Sequence, residues 1–316
     1  MAHQVETMAY AGAVPWHGLG VPVADSLTPE EMLVAAGLDW TVSKRDIFYL
    51  DNQGEFQDTK DFSILVRDSD ETVLSPCGRN YVPTQNRQVF EFFDKFVKAG
   101  NMTMGTAGSL NNGRQVWGLA NIKKGFTLPG GDEVQGHLLI SHPHQWGKSL
   151  TVMFTPVRVV CNNTLTMALG QAGDRFRMTH VREFDFEVQE EAMRALGMAS
   201  EQLNQFEQAA TLLTKVQYDE KQLNEYISRL FQPKVITEEL EELSKVSTEV
   251  HRCIHTQPGA ELSEGSWWSA LNAVTYYVDH KAGRDRNSSL SSAWFGPRAA
   301  TKRQALNLAM EYAEAA

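Results

Sequence analysis

Residues 101–110, NMTMGTAGSL, 114–122, RQVWGLANI, 134–143, VQGHLLISHP, and 149–160, SLTVMFTPVRVV, are four extended, β-rich runs. They are separated by NNG (111–113), LPGGDE (128–133) and HQWGK (144–148). Asn-Gly and paired glycines supply the positive φ angles that tight hairpin turns demand. Parallel neighbours need a crossover of a dozen or more residues, so runs joined this closely pair antiparallel. The stretch predicts a four-stranded antiparallel meander, and the rest of the chain is read outward from it.

Upstream, PTQNRQVFEFFDKFVKAG (83–100) places Val89, Phe90, Phe93, Phe96 and Val97 at helical spacing, with Thr84 as the expected cap and Gly100 as the stop. An aromatic stripe at that spacing is a core face rather than a stacking platform. Before it, TVSKRDIFYL (41–50) and FSILVRD (62–68), broken by DNQG and DSDE, read as antiparallel strands. Earlier still, Thr28, Pro29 and Glu31 spell a capping box with proline at the first helical position, and Gly37 marks the stop. Downstream, CNNTLTMALG (161–170) reads as a short helix capped by Asn162 or Asn163, and RFRMTH (175–180) as an extended segment. There Arg175, Arg177 and Thr179 share one face, because strand side chains alternate. From about residue 187 the long periodic segments 190–216, 219–231, 236–256, 267–283 and 299–316 read as helices. The expectation is an α+β fold: an α+β domain over residues 1–186, an antiparallel sheet meander with packed helices, then a mainly helical domain over 187–316.

The chain has 316 residues and a net charge of −10. Its start lacks the charged, apolar and small-residue order of a signal peptide, and no apolar run has the length of a membrane span, so a cytosolic protein without membrane contact is expected. Cys77, Cys161 and Cys253 are far apart and outside any CxxC spacing, which suits buried apolar residues better than a disulfide framework or a thiolate zinc site. The charge is unevenly placed. Residues 114–182 hold eight Lys and Arg against three acids, and residues 281–303 hold six against one. Local charge of this kind supports phosphate binding only where the segments share a face.

Several residues are candidates for contact with an anionic chain. A helix start at Asn162, Asn163 and Thr164 beside Arg158 offers unpaired N–H groups and a guanidinium to phosphate; the alternative is that Asn162 simply caps while Cys161 packs in the core. Arg175 and Arg177 add to the first reading if they face the same way. The loop SHPHQWGK (141–148) holds His142, His144, Trp146 and Lys148. With His137 and His180 its histidines are conceivable metal ligands, but no HExxH or carboxylate at ligand spacing accompanies them, so no metal and no cofactor is expected. A hairpin tip with a tryptophan and basic neighbours suits single-stranded nucleic acid. Arg284, Arg286, Arg298, Lys302 and Arg303, around Trp294 and Phe295, form a second basic and aromatic segment. Cys161 with His180 lacks a recognisable orienting group for nucleophilic catalysis. No Ser-His-Asp set, paired carboxylates or nucleotide-binding glycine spacing is recognisable, which favours binding over catalysis.

Six stretches together resemble a known family: VPWHGLG (14–20), YVPTQNRQVFEFFD (81–94), TPVRVVCNNTL (155–165), RFRMTH (175–180), WWSALNAVTYYVDH (267–280) and AWFGPRAATKRQAL (293–306). The chain is similar, over nearly its whole length, to the phage and plasmid protein family filed as domain of unknown function 932. That resemblance implies no established activity. It implies a setting in phage or plasmid replication and recombination, and the sheet followed by helices is loosely similar to Rad-type and RecT/Erf single-strand annealing proteins. The expected function is therefore a phage-type DNA-binding protein for recombination or replication, a homo-oligomer holding single-stranded DNA through phosphate contacts. Two alternatives stand beside it: a protein-interaction factor engaging a host or defence partner through the acidic helical half, and a metal-dependent enzyme using the histidine loop.

Overall fold

The meander forms as its turns dictate. In the structure, a computed structural model that describes residues 5–12, 14–15, 18–98, 102–158, 163–164, 175–181, 183–190, 199–231, 245–282 and 296–316, its strands are β6 (Met102–Leu110), β7 (Gln115–Thr127), β8 (Glu133–Pro143) and β9 (Ser149–Arg158). Asn111, Asn112 and Gly113 take left-handed φ angles of 58°, 57° and 81° at the β6–β7 turn, conformations that Asn and Gly tolerate best. β1 (Val5–Ala11) adds antiparallel to β6, and β2 (Val21–Val23) adds parallel to β1. On the other side, β10 (Asn163–Thr164) and β11 (Arg175–Thr179) both pair antiparallel with β9. Among the described residues the sheet has eight strands, in the order β10-β9-β8-β7-β6-β1-β2 with β11 beside β9. A separate antiparallel sheet holds β3 (Val42–Leu50), β4 (Phe56–Arg67) and β5 (Thr72–Gly78). The fold is mixed α+β.

Two helices supply the large sheet's core. α1 (Pro29–Ala35) begins with the expected capping box, in which Glu31 N–H donates to Thr28 Oγ1 and Thr28 N–H donates to Glu31. α2 (Asn86–Lys98) buries Val89, Phe90, Phe92 and Phe93 with Met32 and Leu33 of α1 against Ala107, Val116, Leu138, Ile140, Leu150, Val152, Phe176 and Met178 of the sheet. Thr84 does not cap α2: the helix starts two residues later, and Gln85 N–H donates to Gln88 Oε1. The small sheet is tied to the large one by Arg67. Its guanidinium donates to both oxygens of Asp70 at 2.9 and 2.7 Å and to Glu6 on β1 at 2.9 Å, and it lies over the Trp40 ring.

By contacts the chain divides into two units, residues 1–123, 137–154 and 175–197, and residues 124–136, 155–174 and 198–316. This differs from a single cut near residue 187, because the tip of the β7–β8 hairpin groups with the helices. Those helices are α3 (Ala199–Lys215), α4 (Glu220–Leu230), α5 (Lys245–Thr256), α6 (Trp267–Tyr276) and α7 (Pro297–Glu314). α6 is buried all round. Trp268 Nε1 donates to Asp132 in the hairpin tip at 2.7 Å, and Trp267 stacks on Tyr312 at 4.7 Å. Cys77 and Cys253 are buried as expected; Cys161 lies outside the described residues.

Lys302 departs from the expectation of a phosphate contact. It is buried on α7, and its ammonium donates to the buried carboxylate of Asp279 at 2.8 Å. An uncompensated buried charge is costly, so the pair belongs to the core and not to a binding face. Lys302→Met is expected to lower stability by about 3 kcal/mol, read from the urea midpoint, and adding Asp279→Leu recovers much of the loss. An unchanged midpoint in the single variant contradicts this role.

Candidate nucleic-acid interface

The apolar stripes of two strands end in histidine. On β8, Leu138 and Ile140 face the core and His142 continues their period of two, with His144 just past the end of the strand. On β11 the inward residues Phe176 and Met178 are followed by His180. Histidine therefore occupies core positions at the ends of both stripes, and all three rings are buried. They lie together, with His142 and His144 at 4.3 Å and His142 and His180 at 5.8 Å between ring centroids. The expected solvent loop is thus shorter than SHPHQWGK: His142 is a strand residue, His144 is buried just after the strand, and Gln145–Lys148 form the exposed part of the turn. His137 sits on the opposite side of β8, by its odd spacing from His142. Among the described residues, no three His, Cys, Asp or Glu side chains converge as ligands for a metal.

Two of the rings are held by oxygen acceptors. His142 Nε2 bonds the Thr84 carbonyl at 3.0 Å, and His144 Nε2 bonds Asn86 Oδ1 at 2.9 Å, while Asn86 spends its NH₂ on the Leu38 carbonyl. Both partners are acceptors, so each neutral ring carries its proton on Nε2 and presents a bare Nδ1. Burial pushes His142 well below the ordinary imidazole range, burial and then the neighbouring His180 push His144 down to about 3, and burial pushes His180 down to about 4. Burial likewise pushes the Tyr81 phenol up. His180 stacks on Tyr81 at 4.8 Å and 15°. The His180 ring meets the Val82 backbone, and among the described residues the Tyr81 hydroxyl, Thr84 Oγ1 and the Nδ1 atoms of His142 and His144 have no hydrogen-bond partner.

Above Tyr81 and His180 opens a cavity of about 310 Å³, lined by residues 78–81, 146–149 and 179–181. Three backbone ties shape it. Lys44 Nζ on β3 donates to the carbonyls of Arg79 and Tyr81, Val82 N–H donates to the His180 carbonyl, and Trp146 N–H donates to Ser75 Oγ. The rim carries two exposed cations, Arg79 and Lys148, and the exposed indole of Trp146, whose edge is braced by Phe62 at 5.8 Å. Among the described residues, no acidic side chain lines the cavity. Arg177 is exposed on β11, two residues before the lining Thr179 and on the same face of the strand. Among the described residues, no carboxylate pairs with Arg79, Lys148 or Arg177.

Residues 73–308 match the family model for a domain of unknown function, DUF932. The chain belongs to the DUF932 family. No curated protein and no solved structure matches it. The matched region of this DUF932 chain contains every residue of the cavity wall and leaves β3 and β4 outside.

Of the residues anticipated from sequence, the structure brings Trp146 and Lys148 to one rim and places Arg177 beside it. The backbone of Arg175 is on β11 opposite Met153, and that of Arg158 ends β9 opposite Asn163; their side chains lie outside the described residues. Asn163 and Thr164 form β10 rather than opening a helix, because their backbone groups are taken up by β9. The capped-helix reading at these two residues is thereby corrected. Asn162, Arg284, Arg286, Trp294, Phe295, Trp16, His17 and Arg182 lie outside the described residues. Arg298 and Arg303 are half-buried on α7. Sequence reasoning missed Arg79 and Tyr81, which follow β5 and reach the rim only through the long-range ties of Lys44 and His180.

The buried rings make a pH prediction. An imidazole titrates at about 6.5 in the unfolded chain and lower in the fold, so unfolding takes up protons in acid. The stability they contribute is complete above about pH 6.5 and is lost as the pH falls toward the folded values of about 4 for His180 and about 3 for His144. Lowered carboxylates such as Asp70 add their loss only nearer pH 4. Urea midpoints at pH 7.5, 6 and 5 are expected to decline steadily; a flat profile over that range contradicts the neutral cluster.

Proposed function

We propose that this protein binds single-stranded nucleic acid along the rim formed by Arg79, Trp146 and Lys148 and the adjoining outer face of β11, as a phage-type DNA-binding protein for recombination or replication. The observation that carries this reading is the composition of the rim: two exposed cations and an exposed indole, with no acid among the described residues of the cavity wall, in a chain whose net charge is −10. A surface that merely scattered its charges would intersperse both signs. Cations hold phosphates by displacing condensed counterions, and an exposed aromatic ring gives the bases a stacking face that is indifferent to sequence. Arg177 extends the basic track along the strand at about 7 Å per outward-facing residue, a step close to the spacing of phosphates on an extended single strand.

Fluorescence anisotropy of a labelled single strand and a matched duplex, measured over a salt series, tests the proposal. Tighter binding of the single strand is expected, with affinity that falls linearly on logarithmic axes as salt rises. Arg177→Gln and Lys148→Gln are each expected to flatten that slope by about 0.7, the share of one phosphate contact on a single strand. Absence of binding at low salt, or slopes unchanged in both variants, contradicts the reading.

A further inference from the structure

The hairpin of β3 and β4 outgrows its sheet. β5 pairs with β4 over Phe62–Arg67; among the described residues, the part of β4 nearer the turn has only β3 beside it, in the pairs Phe48↔Asp58, Tyr49↔Gln57 and Leu50↔Phe56. Residues opposite each other in a ladder share a face, so Phe48, Leu50 and Phe56 stand together on one side of a two-stranded ribbon. They are 56%, 61% and 74% exposed. Single exposed apolar residues are ordinary, but an adjacent group rimmed by polar residues marks an interaction surface. The ribbon is also preformed. Asp51 closes its turn by accepting from the Gln53 and Glu55 N–H groups and from Gln57 Nε2, each at 2.9 Å. A partner therefore meets an ordered element, which lowers the entropic cost of docking.

Charge narrows the partner. Residues 46–61 hold five acids, Asp46, Asp51, Glu55, Asp58 and Asp61, against Lys60, a balance of −4. An acidic ribbon is repelled by nucleic acid and by anionic lipid, and two ribbons laid face to face would oppose like charges. The complement is a basic surface with an exposed aromatic ring. This chain carries such a surface in the rim of Arg79, Lys148 and Trp146. The rim of the same copy is out of reach: Trp146 packs on Phe62 at the base of the ribbon, whereas Phe56 lies further out by about 20 Å of extended strand.

We infer that the acidic ribbon of one copy docks on the basic rim of a second copy, so that chains associate head to tail. Phe48, Leu50 and Phe56 cover the indole of Trp146, and the flanking carboxylates face Arg79 and Lys148. Because the two surfaces differ, every docked pair leaves one ribbon and one rim free, and the chain of contacts either stays open or closes into a ring. The contact is small. Three large side chains, each more than half exposed, offer roughly 300 Å², well under the ~800 Å² per partner of a stable interface. Association is therefore weak, concentration-dependent and sensitive to salt. The inference stands without nucleic acid; a strand held at the rim competes with the ribbon for it.

Sedimentation velocity of the nuclease-treated full-length protein, over a concentration series at low and high salt, tests this. The wild-type chain is expected to associate as concentration rises, about tenfold more weakly at high salt. Phe48→Ser with Phe56→Ser in the ribbon, and Arg79→Glu with Lys148→Glu at the rim, change exposed side chains only; each double variant is expected to remain a monomer with an unchanged urea midpoint. Mixed together, the two variants are expected to form a one-to-one dimer and nothing larger, since the mixture holds one intact ribbon for one intact rim. If the serine variant loses stability, Asp46→Asn with Glu55→Gln and Asp61→Asn takes its place in the mixture. A wild-type chain that stays monomeric, or variants that do not dimerise on mixing, overturns the inference. A rim variant that associates by itself overturns it too, in favour of ribbon on ribbon. Association without single-strand binding upholds it and contradicts only the single-strand reading.

Discussion

The alternation of side chains along β8 and β11 is the constraint on which the site depends. A strand facing a helix-covered core must place every second residue in it, and on these two strands the series runs from leucine, isoleucine, phenylalanine and methionine into histidine. The same period that buries Phe176, Met178 and His180 turns Arg177 and Thr179 outward. A one-residue slip of β11 against β9 would exchange the two sets, placing a guanidinium in the core and phenylalanine in solvent. The register Arg177↔Thr151 and Met178↔Leu150 is therefore as much a condition of the basic face as of the core.

Burial of three imidazoles together has an electrostatic result. None of them can hold a proton cheaply beside the others, so the cluster is neutral at physiological pH and its ring nitrogens act as hydrogen-bonding groups rather than charges. Positive charge is confined to the rim, on side chains that water still reaches. The division suits the proposed single-stranded partner, whose phosphates would meet the charge on the rim. The ties from Lys44 and from Val82 to the 79–81 segment and its partner strand keep rim and recess in one geometry.

Much of the fold was legible because its signals are local. The capping box at Thr28, the Asn-Gly turn at 111–113 and the short connections of the meander act within a few residues, and each appears where the sequence placed it. What escaped is decided at long range. β1 becomes a strand because β6 offers an edge about a hundred residues away along the chain. Asn163 and Thr164 carry good capping side chains, yet pairing with β9 overrides that preference. Lys302 looks like one basic residue in a basic run, and only Asp279, a helix away, makes it a core residue. The site was half legible: Trp146, Lys148 and Arg177 stood out as basic and aromatic residues, whereas the histidines were read as a loop although HLLISHPH already shows the alternation that buries two of them.

The central claim is that nucleic acid lies over the end of β11 beside Trp146, and cross-linking locates the contact directly. A single strand carrying photoreactive bases, irradiated in complex with the full-length protein and mapped by mass spectrometry, is predicted to attach to peptides containing Tyr81 or Trp146. Attachment confined to peptides of α3 to α7 contradicts the account and moves the binding surface to the helices.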